Sequence, residues 1–247
     1  MRQIDVMGVR IQDLTREEFT ARAAQLLESG SGACAVTPNA EILWLAMHDP
    51  AYCRILNEAE LVLPDGAGVL LGARILGTPL REKVPGVEFG AQICALLAKT
   101  GKTLYLLGGA PGIAEKAAEM LAGTYPGLRI CGTADGYFAD EAEAVRKIAA
   151  AEPDVVFVCL GAPKQERFMY AHAKETGAKL LVGLGGSINV YAGCVRRAPG
   201  WMITCNLEWF YRLLQEPSRL GRMRCLPKFV RSCLREQRRR KRKKWVN

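Results

Sequence analysis

The sequence has few of the residues that build metal sites. Its 247 residues include two histidines, no D-x-D, no H-E-x-x-H, and nine cysteines without a single C-x-x-C pair. These absences argue against a structural zinc, and D-x-D is the usual metal clamp of enzymes that handle nucleotide-sugars. No metal or other cofactor is therefore expected, and His48 and His172 read as ordinary helix residues. The cysteines are odd in number and sit in apolar patterns such as Val155-Val156-Phe157-Val158-Cys159, so they read as reduced core residues. No stretch reaches the roughly 18 to 20 apolar residues of a spanning helix. The Met1-Arg2-Gln3-Ile4-Asp5 start lacks the apolar core of a signal peptide, which places the expected location in the cytoplasm.

What is present is a charge asymmetry. Residues 208–247 carry 14 Lys and Arg against Glu208, Glu216 and Glu236, whereas residues 1–207 carry 20 bases and 22 acids. The net charge of +9 thus resides in the tail. A near-neutral body with a basic tail implies an anionic partner: a membrane surface, a nucleic acid or a diphosphate.

Thr15 followed by Glu18 opens an amphipathic helix with a capping box. Short apolar strands then alternate with helices. Ala33 to Val36 ends at Thr37-Pro38-Asn39-Ala40-Glu41, and Glu60 to Leu63 ends at Pro64-Asp65-Gly66-Ala67-Gly68. Thr103 to Leu107 runs into Gly108-Gly109-Ala110-Pro111-Gly112. Residues 155–160 run into Gly161-Ala162-Pro163-Lys164-Gln165-Glu166, and Lys179 to Val182 into Gly183. The pattern predicts an α/β, Rossmann-like fold: a mainly parallel sheet with helices on both faces. Ligands in such folds bind beyond the carboxyl ends of the strands. Past Pro199 the alternation stops, which divides the chain into a catalytic domain, 1–199, and a basic helical appendage, 200–247. Pro217 and Pro227 are expected to cut the appendage into short helices. Leu226, Phe229, Val230, Cys233 and Leu234 form one stripe beside Lys228, Arg231 and Arg235, a pattern suited to a lipid headgroup layer.

Asp65, at a strand end before glycine, stands where a general base belongs; the alternative is a turn Asp bonding its own backbone. Thr37 and Asn39 are placed either to bind sugar hydroxyls or phosphate, or to cap the next helix. Gly108 and Gly109 form a phosphate-approach turn without the G-x-G-x-x-G spacing. Gln165 is placed to read a uracil or phosphate, or only to open a helix. Arg219 and Arg222 share a helical face, with Arg212 one segment upstream. Their forked donors suit a diphosphate, although bases in a basic tail are more often simply solvated.

Taken in order, Thr37-Pro38-Asn39-Ala40-Glu41, Pro64-Asp65-Gly66-Ala67-Gly68, Leu106-Leu107-Gly108-Gly109, Ala134-Asp135-Gly136-Tyr137-Phe138, Leu160 to Glu166 and Arg197-Ala198-Pro199 resemble the WecG/TagA/CpsF glycosyltransferases. The likeness runs from about residue 4 to 225. The resemblance implies an inverting, metal-independent transferase in which Asp65 is the general base. Thr37, Asn39 and Gln165 then line the sugar and nucleotide site, with Gly108, Gly109 and Asp135 also on the substrate, and Arg212, Arg219 and Arg222 hold a diphosphate. It implies a UDP-sugar donor and a polyprenyl-diphosphate-linked acceptor. The donor sugar is N-acetylmannosamine or, in relatives, mannosaminuronic acid or another such as glucose. The product is a wall teichoic acid linkage unit or related polymer, made at the inner face of the membrane. The appendage targets the anionic membrane surface and completes the site, and its exposed aromatics favour a homo-oligomer.

Two rivals stand beside this reading. A nicotinamide oxidoreductase is suggested by the glycine turn followed by Asp135, but the glycine spacing is broken. Nucleic-acid binding through residues 238–244 is disfavoured by the amphipathic stretch before them.

Overall fold

The uncharged, mostly apolar strand runs pair as the centre of one sheet. The computed structural model describes residues 2–30, 32–205, 207–215, 221 and 224–246, with only the backbone at 212 and 243–246. An antiparallel hairpin comes first, β1 (Gln3–Val6) and β2 (Val9–Gln12). It turns through Met7 and Gly8, both at positive φ. Next come α1 (Arg16–Ser29), β3 (Ala33–Val36), α2 (Ala40–His48), α3 (Pro50–Glu58) and β4 (Leu61–Val62). The middle holds α4 (Ala67–Ile75), α5 (Gly86–Thr100), β5 (Thr103–Gly108), α6 (Ile113–Thr124), β6 (Arg129–Ala134) and α7 (Glu141–Ala150). The last part comprises β7 (Val155–Cys159), α8 (Lys164–His172), β8 (Leu180–Gly183), α9 (Ser187–Tyr191), α10 (Gly200–Thr204), α11 (Glu208–Gln215) and α12 (Cys225–Val246).

Six strands form an all-parallel sheet in the order β4-β3-β8-β7-β5-β6. Every residue of β7 and β8 is buried, as expected for strands covered on both faces. Alternation sorts the side chains into two cores. Leu104, Leu106, Phe157 and Val182 face α1, α5 and α6, whereas Tyr105, Leu107, Val156 and Val158 face the core shared with α2, α3, α7 and α8. The predicted fold class is thus the observed one.

Thr15 makes the predicted capping box, accepting from Glu18 N–H while the Glu18 carboxylate accepts from Thr15 N–H. The tail differs from expectation. From Cys225 it is one 22-residue helix, and Pro227 lies in its first turn, where no intrahelical N–H is needed. Its apolar stripe turns inward in part: Phe229 and Cys233 are fully buried in the core shared with α2 and α4, Leu226 and Val230 are half-buried, and Leu234 is exposed. Lys228, Arg231, Arg235, Arg238, Lys241 and Arg242 stay exposed. Pro217 lies outside the described residues. All nine cysteines are free thiols, and burial pushes Cys34, Cys94 and Cys159 up to about 12. Among the described residues no helix is long and apolar enough to cross a membrane.

Candidate active site

The carboxyl ends of β3, β4, β7 and β8 open into a pocket of about 450 Å³. Thr37 follows β3, Asp65 follows β4, Gln165 follows β7 and Leu184 to Ser187 follow β8, and all of them line it. The outer wall comes from the tail, through Trp209 of α11 and Leu226, Phe229 and Val230 of α12.

Each predicted residue here also has a structural bond. The Thr37 hydroxyl donates to the Gly183 carbonyl at 2.8 Å, tying β3 to β8 and leaving its oxygen as an acceptor. Asn39 Oδ1 accepts from Ile42 N–H at 3.0 Å and so caps α2 while facing the pocket. Asp65 N–H donates to the Pro38 carbonyl at 3.1 Å, which holds the two loops together. Gln165 Oε1 accepts from Gly185 N–H at 2.9 Å, and its Nε2 donates to Glu166 at 2.7 Å.

The remaining predictions fall elsewhere. Gly108, Gly109 and Asp135 sit at the ends of β5 and β6 and do not line this pocket. Gly136 N–H donates to Gly109 O at 2.9 Å, and Asp135 Oδ1 accepts from Tyr137 N–H at 2.8 Å, a local turn. Arg212 belongs to α11, and its side chain lies outside the described residues, as do Arg219 and Arg222. Lys83, Glu41, Ser187 and Trp209 line the pocket and were not singled out from sequence.

Helices begin in both ways at and away from the pocket: Asn39 closes α2 at the pocket, and α6 begins at Gly112 away from it without a side-chain cap. Side-chain caps close α1, α3 and α7 with Thr15, Asp49 and Asp140. At the pocket, α4, α5 and α8 begin at Gly66, Pro85 and Pro163 with no side-chain cap bond. Unsatisfied N–H groups at such ends favour an anion such as a diphosphate. Among the described residues no three His, Cys, Asp or Glu side chains converge to hold a metal.

Residues 4–243 match the model of the glycosyl transferase WecG/TagA/CpsF family. The chain belongs to this family. It is a glycosyltransferase, as the six motifs anticipated. An N-acetylglucosaminyldiphosphoundecaprenol N-acetyl-beta-D-mannosaminyltransferase of Bacillus spizizenii is 37% identical over 92% of this chain and 90% of its own length. A protein of the same name from Bacillus subtilis is 36% identical over 85% and 82%. One from Staphylococcus aureus is 31% identical over 92% and 91%.

Proposed function

We propose that this glycosyltransferase moves N-acetylmannosamine from its UDP donor to N-acetylglucosaminyldiphosphoundecaprenol, with inversion and without a metal. The observation that carries the reading is the convergence of Thr37, Asn39, Asp65 and Gln165 on one pocket beside three uncapped helix N-termini. The relatives' names supply the sugar and the acceptor.

In this mechanism the acceptor hydroxyl oxygen attacks the anomeric carbon as the bond from that carbon to the diphosphate breaks. Asp65 takes the hydroxyl proton, a contribution of about 10² to 10⁴ in rate. The charge left on UDP falls to the amides opening α4, α5 and α8, with Lys83 at the same pocket. Arg212, Arg219 and Arg222 are proposed to hold the donor or acceptor diphosphate. The tail, which supplies the outer wall, brings the site to an anionic membrane surface, where the lipid acceptor resides. Exposed Trp201, Phe210 and Leu214 favour a homo-oligomer in solution; a monomer by light scattering in detergent-free buffer would overturn that part.

The test is UDP release from a panel of UDP-sugars, with and without a GlcNAc-diphospho-lipid acceptor. Acceptor-dependent release from UDP-N-acetylmannosamine supports the reading. Preference for UDP-mannosaminuronic acid or UDP-glucose would keep the pocket chemistry and change the sugar.

A further inference from the structure

Gln165 stands at the end of a buried relay. Glu166 is 1% exposed and Gln165 2%, and Tyr52 behind them is fully buried. The Tyr52 hydroxyl donates to Glu166 Oε2 at 2.9 Å, Glu166 Oε1 accepts from Gln165 Nε2 at 2.7 Å, and Gln165 Oε1 accepts from Gly185 N–H at 2.9 Å. The direction of the amide is settled by chemistry, because a backbone N–H only donates. The Gln165 atom facing Gly185 is therefore oxygen, and nitrogen must face the carboxyl. An amide nitrogen carries two hydrogens, and Glu166 takes one of them.

We propose that Glu166 is a positioning residue: it holds one Nε2 hydrogen of Gln165, so that the other is presented to an oxygen of the bound nucleotide-sugar. The proposal rests on the transferase reading of the same pocket. Glu166 itself does not line that pocket, so it acts through its neighbour. Tyr52, from α3, closes the far side of the carboxyl, so the relay spans two helices and does not depend on the pocket loop alone. Burial holds the carboxyl above its usual range, which makes a neutral amide a fair substitute for it.

The test uses steady-state kinetics with the nucleotide-sugar varied. Glu166→Met keeps the length and removes the acceptor. It should raise KM about tenfold, the size of one lost hydrogen bond, with kcat changed less than about threefold. Glu166→Gln offers Oε1 to Gln165 and an N–H to the Tyr52 oxygen, and should restore most of the lost KM. If Glu166 works through Gln165, then E166M in a Gln165→Ala background adds less than about twofold. The proposal is overturned by E166Q as poor as E166M, or by E166M costing the same factor with and without Gln165. Should E166M fail to fold, Gln165→Glu carries the test, since it removes both Nε2 hydrogens; a KM equal to that of the unmodified chain would then refute the proposal. An unmodified chain that releases no UDP from any donor overturns the transferase reading and this proposal with it.

Discussion

The ring of Phe229 lies against the backbone of Gly72, so closely that a Cβ added at Gly72 would meet its Cε1 and Cζ at 3.0 Å. Gly72 is buried in the middle of α4, where glycine costs about 1 kcal/mol relative to alanine. Its place there is explained by what it admits. Through that contact the C-terminal helix is seated beside the pocket, and Leu226, Phe229 and Val230 become part of the wall.

Gly72→Val should therefore unseat α12 and cost most of the activity while the sheet stays folded. Hydrogen exchange across 225–242, measured beside UDP release, checks this. Phe229→Ala should act in the same direction, the loss of a buried Phe being worth about 3 to 5 kcal/mol when its surroundings cannot relax. Activity retained with rapid exchange in α12 would show that the wall is dispensable.

Asp65→Asn preserves size and removes the base. Turnover should fall by about 10² to 10⁴, while UDP affinity by calorimetry stays within about threefold. Weakened UDP binding with turnover intact would assign Asp65 to the nucleotide and leave the proton without its proposed acceptor.

Much of this geometry was legible in the sequence. The runs 104–107, 155–159 and 180–182 are buried on both faces, so apolar continuity betrays them, and Thr15 with Glu18 marks a helix start by capping chemistry alone. Thr37, Asn39, Asp65 and Gln165 follow strands and so gather at one sheet edge. Other features leave no local trace. Helix α5 begins at Pro85 without a capping side chain. The stripe on α12 is visible as a stripe, but periodicity does not say whether lipid or protein covers it. Nor does a Pro-Lys-Gln-Glu loop reveal that Glu166 is buried while Lys164 beside it is exposed and sits over the Phe138 ring.

The buried carboxyl of Glu166 also predicts a pH signature. Desolvation raises its pKa in the folded chain, and the bonds from Gln165 and Tyr52 offset this only in part. Between the unfolded pKa and the raised folded value the native state holds more protons than the unfolded one, so this group's contribution is present at low pH and is lost as pH rises. Glu166→Gln carries no such charge. Its melting temperature relative to the unmodified chain should thus climb as pH increases from about 4.5, near the unperturbed carboxyl value. A difference that stays flat with pH would mean that the carboxyl is ionised at no cost in the fold.

The tail poses the last question, because the body already covers Phe229 and Cys233 of its apolar stripe while Leu234 stays exposed. On the proposed membrane reading, the contact with an anionic surface falls to exposed bases of α12, among them Arg238, Lys241 and Arg242. Each base near such a surface is worth about 1 kcal/mol, so replacing these three with Gln should weaken binding to phosphatidylglycerol vesicles roughly a hundredfold. The binding should also fade between 0.05 and about 0.5 M salt as screening shortens. If co-sedimentation instead resists salt and is lost in Leu226→Ser and Phe229→Ser variants, then α12 leaves the body and inserts its stripe into lipid. In that case membrane binding would remove the pocket's outer wall, and the lipid acceptor would enter through the gap that α12 vacates.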